Sequence, residues 1–247
     1  MSEATTGVEI RYSGPRVTRP NIIVGMPESG LVGTITCSYL VEQLKMTDRG
    51  FIDSELLPQV MIVHNSAATY PIHIFGKDDL LVILSEVPLP PLASREVARE
   101  IAAWARSLKA TLVIGVTGAP SKARDDSHGE GSSTVVAVGN AEQALDRIKE
   151  SGASTFEDGV VSGFYASLLK HCTSKGQGNV TLLAESLSQF PDPGAAASII
   201  GVLGKFLSLK VDTKSLLQES EEIRLRARDL MQETQQAAGG RPPSAYS

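Results

Sequence analysis

The stretch from Asn21 to Gly33 constrains the fold more than any other part of the sequence. It begins with a short apolar run, Ile22 to Val24, which is typical of a strand buried on both faces of a sheet. Glycines and a proline then mark a tight turn, and Ser29 is placed to cap a following helix. From Leu31 to Lys45 apolar residues recur at the spacing of a helix face. The unit is a strand, a glycine-rich turn and a helix, which predicts the opening of a βαβ crossover.

The glycine-rich turn raises the question of phosphate binding, and its details argue against that interpretation. A Walker A loop needs lysine and then serine or threonine after the second glycine, whereas Leu31 and Val32 follow Gly30. A dinucleotide-binding turn needs glycine where Glu28 stands, and a carboxylate there is able to take the anion's place at a helix start. We therefore interpret Gly25 and Gly30 as positions of close helix–strand packing, with phosphate binding as the alternative.

The rest of the chain to about Leu209 alternates short apolar strands with helices, which indicates an α/β domain. A hairpin signal at Gly76 to Asp79 indicates a mixed rather than a purely parallel sheet. We predict a three-layer fold, a mixed sheet flanked by helices, with a polar flexible loop at 119–133. The predicted strands lie near 8–12, 22–24, 60–64, 72–75, 80–84, 111–116, 134–138 and 180–184. The predicted helices lie near 31–45, 94–108, 141–150, 160–172 and 194–209.

The sequence changes character after this α/β domain, which we place at residues 1–210. Lys214 to Gln236 contains no glycine or proline, and its apolar residues lie at heptad-like spacing between charged faces. We predict a C-terminal helix at 211–238, either folded back on the domain or bundled with copies of itself. Residues 239–247 are predicted to form a flexible tail, because glycine and proline pairs favour a mobile chain.

The composition argues against several classes of protein. The chain has 247 residues, of which 42% are hydrophobic, so it is long enough to bury a sizeable core. Its net charge of −5 and pI near 5.5 argue against a nucleic-acid or anionic-membrane partner. Cys37 and Cys172 both lie in apolar contexts, which predicts buried free thiols and a reducing, cytoplasmic compartment. The beginning of the chain carries Glu3 and no apolar core, so we expect no secretory signal.

A cluster of polar residues in the 119–133 loop is the one candidate metal site. Asp125, Asp126, His128 and Glu130 lie close together in sequence, but the regular spacing of an oxygen-ligand loop is missing. We interpret the cluster as part of a solvated loop. We therefore predict no metal and no cofactor.

The ends of the predicted strands provide a candidate small-ligand crevice. If those strands are parallel, the residues at their carboxyl ends gather at one edge of the sheet, where ligands of open α/β sheets bind. The alternative is that these serine, threonine and glutamate residues cap the helices that follow. The candidate crevice residues are Gly25, Gly30, Glu86, Thr117, Gly118 and Glu185.

Residues 25–33, Gly-Met-Pro-Glu-Ser-Gly-Leu-Val-Gly, resemble the glycine-rich opening motif of the proteasome-assembly-chaperone family. The order of elements to about Leu209 is also similar, with a hairpin near Asp79, a proline-rich turn at Pro88 to Pro91 and a strand leading to Thr117-Gly118. The resemblance implies an α/β sandwich related in shape to nucleoside phosphorylases. It also implies an archaeal-type homo-oligomer with a non-enzymatic role.

The same resemblance gives the end of the chain a function. Archaeal chaperones of this family, like proteasome activators, can end in a hydrophobic residue, a tyrosine and any residue, and Ala245-Tyr246-Ser247 is similar. In those proteins the tail enters a pocket between neighbouring α-subunits of the proteasome core, with the terminal carboxylate facing a pocket lysine. Ala245 departs from the pattern, because losing two or three methylenes costs about 1–2 kcal/mol of burial. Several tails presented by one oligomer would recover affinity through effective concentration.

Two functions are therefore under consideration. The first is a cytoplasmic, homo-oligomeric proteasome-assembly chaperone or activator-like protein that docks its tail on proteasome α-subunits. The alternative is a small-molecule enzyme of the nucleoside-phosphorylase or ATP-dependent carboxylate-ligase type, using Glu86, Glu185 and the turn at Gly30. The turn holds no lysine or arginine for phosphate, which favours the first function.

Overall fold

The computed structural model describes residues 7–15 and 17–218. Within these residues a nine-stranded mixed sheet forms the middle layer of the molecule. Its strands are β1 (Val8–Tyr12), β2 (Asn21–Gly25), β3 (Thr47–Ser54), β6 (Ile72–Lys77), β7 (Leu80–Ser85), β8 (Leu112–Pro120), β9 (Val135–Gly139), β10 (Ser154–Thr155) and β11 (Asn179–Ser186). A separate two-stranded hairpin consists of β4 (Ile62–His64) and β5 (Ala67–Thr69). The helices are α1 (Val32–Gln43), α2 (Pro91–Ser107), α3 (Lys122–Asp126), α4 (Glu142–Glu150), α5 (Gly163–Ser174) and α6 (Pro193–Phe206).

The strand order in the large sheet is β1-β3-β6-β7-β2-β8-β11-β9-β10. The four central strands β7, β2, β8 and β11 are parallel to one another. Strand β6 is antiparallel to β7 and to β3, and β9 is antiparallel to β11. The prediction of a mixed sheet is confirmed, and the first strand of the glycine-rich unit lies at its centre.

The buried residues of β2 alternate between the two faces of the sheet. Ile23 packs with residues of α1, α4 and α6 on one face, whereas Ile22 and Val24 pack with α2 and α5 on the other. Successive side chains of a strand point to opposite faces, so an unbroken apolar run is the pattern of a strand covered on both sides. The predicted three-layer α/β architecture is confirmed.

The predicted hairpin between β6 and β7 is present, and its turn lies at Asp78 and Asp79. Asp78 has a φ of 50°, in the left-handed region where aspartate is among the residues tolerated best. The turn reverses the chain so that β6 runs against the four parallel strands. This hairpin begins the antiparallel half of the sheet.

Several predicted boundaries were wrong. Helix α2 begins at Pro91 rather than at Ser94, because proline at the first helical position already has the helical φ. Helix α5 begins at Gly163, which has a φ of 69° and so separates the helix from the extended chain at 160–162 that we predicted as helical. The strand predicted at 60–64 is shorter, half exposed and outside the main sheet.

Besides the short strands β5 and β10, the sequence analysis missed β3 and α3. Strand β3 carries charged residues and a register shift between Asp48 and Gly50, so its apolar alternation is weak. The loop at 119–133 contains the short helix α3, whose Arg124 is buried. Both elements depend on tertiary partners that a local pattern does not reveal.

After α6 the chain stays on the face of the sheet that α1 and α6 cover. Leu216 is 4% exposed and packs in the same cluster as Leu40 of α1. The Tyr39 hydroxyl donates to the Asp212 carbonyl at 2.6 Å and lies 2.6 Å from the Ser215 hydroxyl. Residues 214–218 are helical, and the remainder of the predicted C-terminal helix and the tail lie outside the described residues. In the part of the chain that the structure describes, no helix is both long and apolar enough to cross a membrane.

Candidate functional site

The glycine-rich turn lies at the carboxyl ends of β2 and β8, where the sequence placed a crevice. Ser29–Leu31 form a single 3-10 turn, in which Gly30 is buried and has a φ of 62°. The Gly30 carbonyl accepts a hydrogen bond of 2.8 Å from the backbone N–H of Asp192, just before α6. The turn is therefore attached to the element that follows β11.

The glycines of this turn allow backbone to approach backbone. A Cβ on Gly33 would lie 2.5 Å from the Val116 carbonyl oxygen of β8 and 2.9 Å from the Met26 carbonyl oxygen. A Cβ on Gly25 would lie 2.5 Å from the sulfur of Cys37, and it would also clash with the Gly33 carbonyl. The first turn of α1 therefore rests directly on β2 and β8.

Gly118 belongs to the same close-packed region. A Cβ at this position would collide with the Ser29 carbonyl and with the Ser186 hydroxyl. The Ser29 hydroxyl lies 3.1 Å from the Ser186 hydroxyl and donates to the Leu187 carbonyl at 3.4 Å. The prediction that Ser29 caps α1 was wrong, because its hydroxyl is used by β11 and Leu31 occupies the N-cap position.

Glu28 is the carboxylate at the centre of the site, and the sequence analysis did not include it among the crevice residues. Its Oε1 accepts the backbone N–H of Phe164 at 3.1 Å, in the first turn of α5. Its Oε2 accepts the Thr117 hydroxyl at 3.3 Å. Burial raises the pKa of Glu28 above its ordinary value, and the two hydrogen bonds partly offset that effect. Glu28 thus occupies the anion position of a helix start, but the helix is α5 rather than the adjacent α1.

Tyr165 joins the turn to the sheet from the other face. Its hydroxyl accepts the Met26 backbone N–H at 2.9 Å and donates to the Val116 carbonyl at 2.5 Å. The side chain is 1% exposed, and burial, followed by the charge of Glu28, raises its pKa well above the ordinary value. The neutral tyrosine hydroxyl replaces water as the hydrogen-bond partner of two buried backbone groups.

A buried ion pair closes the crevice on the β11 side. Arg124 of α3 and Asp192 form two hydrogen bonds of 2.8 Å, and both side chains are almost fully buried. Arg124 also donates to the carbonyls of Glu130 and Gly131, and Asp192 also accepts the backbone N–H of Ala195 at 2.9 Å. Because its remaining donors and acceptors have partners, this pair acts as a structural clamp at the start of α6.

The two glutamates predicted at the strand ends have other partners. Glu86 pairs with His64 of the β4–β5 hairpin at 2.9 Å. Glu185 accepts the Ser121 hydroxyl at 3.2 Å, near the start of α3. The structure therefore joins Thr117, Gly118 and the turn into one hydrogen-bonded cluster and places both glutamates in separate contacts.

A cleft of about 320 Å³ lies beside Glu28, between the first turns of α2 and α5. Leu89, Ser94, Arg95 and Phe164 contribute to its walls. The cleft lies next to the hydrogen-bonded cluster of the turn. Glu28 is the residue that the two share.

The other predicted features of the chemistry concern metals and thiols. Among the described residues, no group of three or more histidine, cysteine, aspartate and glutamate side chains is arranged to hold a metal. Asp125 instead accepts the backbone and the hydroxyl of Ser188, which lowers its pKa. Cys37 and Cys172 are free and buried, and burial raises the pKa of Cys172 to about 12. The candidate tail residues Ala245, Tyr246 and Ser247 lie outside the described residues.

A model of the PAC2 family matches residues 22–231, from β2 through the start of the C-terminal helix and beyond. The chain belongs to the PAC2 family. Among curated proteins, an uncharacterized protein of Methanocaldococcus jannaschii is 23% identical to this PAC2 chain over 214 residues, covering 87% of the chain and 86% of the relative.

Solved structures share the fold of this PAC2 protein over nearly its whole length. PbaA of Pyrococcus furiosus, an archaeal homolog of proteasome-assembly chaperone, is 28% identical with a TM-score of 0.82, covering 94% of each chain. PbaB of the same organism, described as an archaeal proteasome activator, is 21% identical with a TM-score of 0.77, covering 92% of this chain and 100% of PbaB. The resemblance to proteasome-assembly chaperones that residues 25–33 indicated is confirmed.

Proposed function

We propose that this protein is a cytoplasmic, homo-oligomeric proteasome-assembly chaperone or activator-like protein. Its partners are proteasome α-subunits and copies of itself, and Ala245-Tyr246-Ser247 docks in pockets between α-subunits. The observation that carries the proposal is the match to PbaA, which extends over 94% of both chains at 28% identity. A match of that extent includes the whole α/β domain rather than one motif.

The contacts at the carboxyl ends of the strands support a scaffold role. Gly33 and Gly118 bring backbone so close that the turn, β8 and β11 fill the region where α/β enzymes bind ligands. Glu28 takes the helix-start position that a phosphate would need, and Tyr165 satisfies the buried backbone groups. These residues are hydrogen-bonded within the fold, as is usual for buried polar groups with a structural role.

The contacts at the beginning of the C-terminal segment support the proposal that the tail is the segment that binds the proteasome. Leu216 and the contacts of Tyr39 fix the chain against α1 as far as the described residues extend. A fixed starting point limits the volume that the tail has to search, and an oligomer multiplies the tails on one particle. Each Tyr246 then contributes a modest affinity, and the assembly contributes the avidity.

Co-purification with proteasome core particles tests the proposal. The full chain should retain α-subunits, and deletion of residues 245–247 or the substitution Tyr246→Ala should abolish retention. Ser244→Ala is the matched control, since it changes the neighbouring residue and leaves the terminal three intact. Retention that survives the deletion would remove the tail mechanism, even if the proteasome remains the partner.

The enzyme alternative keeps one supporting feature, the cleft beside Glu28. A half-buried carboxylate with a raised pKa, in a cleft that Arg95 also lines, is a group that an active site could use. Incubation of the protein with nucleosides and phosphate, or with ATP and carboxylates, gives turnover if this alternative holds. Turnover that disappears in Glu28→Gln would favour the enzyme over the scaffold.

A further inference from the structure

The β4–β5 hairpin stands apart from the nine-stranded sheet. Within the described residues its strands are hydrogen-bonded to each other and to no other strand. Each strand has three residues, and an isolated hairpin of that size is marginally stable in water. Its two outer edges carry backbone groups without a strand partner, the feature that proteins normally cover or pair.

The hairpin and the two residues that precede β4 expose apolar side chains. Val60, Met61 and Val63 are 43%, 50% and 65% exposed, and we call these three residues the hairpin patch. Leu92, at the start of α2, is 55% exposed. It lies at the same end of the sheet as the hairpin, because the hairpin follows β3, α2 follows β7, and these two strands run in the same direction. Neighbouring exposed apolar groups mark interaction sites more often than single ones do.

The hairpin patch lies in a long segment without charge. No aspartate, glutamate, lysine or arginine occurs from Leu56 to Gly76, in a chain that is 21% charged overall. Depletion of charged residues, together with methionine and aliphatic groups, is the composition of an interface core. The segment thus resembles the centre of a protein contact rather than an ordinary loop.

Polar contacts hold the hairpin in place on the domain. His64 of β4 pairs with Glu86 at the end of β7 at 2.9 Å. At the end of β5, the Thr69 hydroxyl lies 2.7 Å from Nε2 of His73, whose Nδ1 lies 2.9 Å from Asp48. A surface fixed in this way loses little conformational entropy when a partner docks on it.

We infer that the hairpin patch docks on the hairpin patch of a second copy of this chain. Each copy carries a net charge of −5, so a contact between copies is favoured where neither surface brings charge. A charged partner would be recognised by complementary charges, which this segment does not offer. The inference rests on the homo-oligomer in the proposed function and adds the surface that forms it.

The substitution Val63→Asp tests this inference in the full-length protein. A carboxylate in the contact raises the dissociation constant for self-association on the order of 100-fold, since it is buried against an apolar surface without a partner. Sedimentation and light scattering after gel filtration measure the change in particle mass. Val160→Asp is the matched control, because it adds the same charge at a valine that is 88% exposed outside the hairpin, and it should leave the mass unchanged. Circular dichroism of both variants verifies that they fold.

A cross-linking measurement does not depend on weakening the assembly. Val63→Cys should form a disulfide-linked dimer under mild oxidation of a dilute sample, whereas Val160→Cys should not. The native thiols of Cys37 and Cys172 are both 0% exposed, so a disulfide reports on the introduced residue.

The outcomes distinguish self-association through the hairpin patch from proteasome binding through the tail. An oligomer that Val63→Asp leaves intact, with no Val63→Cys dimer, would overturn the inference while the tail mechanism stands. A wild-type monomer whose proteasome retention is lost in Val63→Asp would also overturn it, since the occupant would then be the proteasome. Loss of self-association in Val63→Asp with intact folding supports it, whatever the tail deletion shows.

Discussion

The substitution Gly33→Ala distinguishes a packing role of the glycine-rich motif from a ligand-binding role. The new Cβ would lie 2.5 Å from the Val116 carbonyl oxygen, 2.9 Å from the Met26 carbonyl oxygen and 2.9 Å from the Tyr165 hydroxyl oxygen. All three distances are well inside the ~3.5 Å at which non-bonded heavy atoms attract one another best. Two of the three atoms belong to backbone, which cannot move away by changing a rotamer.

The expected change in the free energy of unfolding has two opposing parts. Alanine is a better helix residue than glycine by about 0.5–1 kcal/mol, which would stabilise α1. Overpacking a close contact costs typically about 1–3 kcal/mol, and occasionally more. Because the contacts of Gly33 are with rigid backbone, we expect the upper end of the overpacking cost. After the helix gain is subtracted, the protein should lose about 2 kcal/mol net.

Gly201→Ala is the matched control for this prediction. Gly201 lies in α6, is exposed, and has nothing within 4 Å of the position where its Cβ would stand. The same substitution should therefore stabilise the protein by about 0.5–1 kcal/mol. Urea unfolding followed by circular dichroism, at one protein concentration for all variants, measures both changes. A Gly33→Ala protein as stable as Gly201→Ala would refute the packing argument and reopen phosphate binding at the turn.

Three further predictions concern the residues around this turn. Tyr165→Phe should destabilise the protein by about 1–3 kcal/mol in urea unfolding, because the Met26 N–H and the Val116 carbonyl lose their partner; an unchanged midpoint would contradict the bridging role. Asp192→Ala should cost about 3–5 kcal/mol by leaving the guanidinium of Arg124 buried and unpaired, and a loss below 1 kcal/mol in the same assay would count against the clamp. The pKa of Glu28 is raised in the folded state, so the folded protein binds that proton more tightly than the unfolded chain does. The stability of wild type relative to Glu28→Gln should therefore fall as the pH rises through 4.5 and above. A difference between those two proteins that does not change from pH 4 to pH 7 would contradict the buried position of the carboxylate.

The central layer of the fold could be predicted because its signals are local. Ile22 to Val24 form an apolar run that a doubly covered strand requires, and the turn at Asp78 carries residues that tolerate a left-handed backbone. Strand β3 could not be predicted in the same way, since its position depends on pairing with β1 and β6 and its own pattern is polar. A local sequence pattern predicts an element when the burial of its own side chains determines that element. It fails when pairing with distant strands determines the element.

The structure brings some of the candidate site residues together, through contacts that the sequence did not predict. Thr117 and Gly118 do lie beside the turn, as parallel strands require. Glu28 was considered as an anion substitute, but its partner is the start of α5, which is far from it in sequence. The pair of Arg124 and Asp192 had no sequence signal, because three strands and two helices separate the two residues along the chain and only the fold brings them together.

The most direct test of the account is the affinity for proteasome core particles, measured by biolayer interferometry. Three proteins are compared: wild type, the deletion of residues 245–247, and Ala245→Leu. Deletion of residues 245–247 should remove measurable binding, while Ala245→Leu should tighten it about 5- to 30-fold, the equivalent of about 1–2 kcal/mol of added burial. Wild type should lie between these two variants. Equal affinities for all three chains would contradict the claim that this PAC2 protein engages the proteasome through its last three residues.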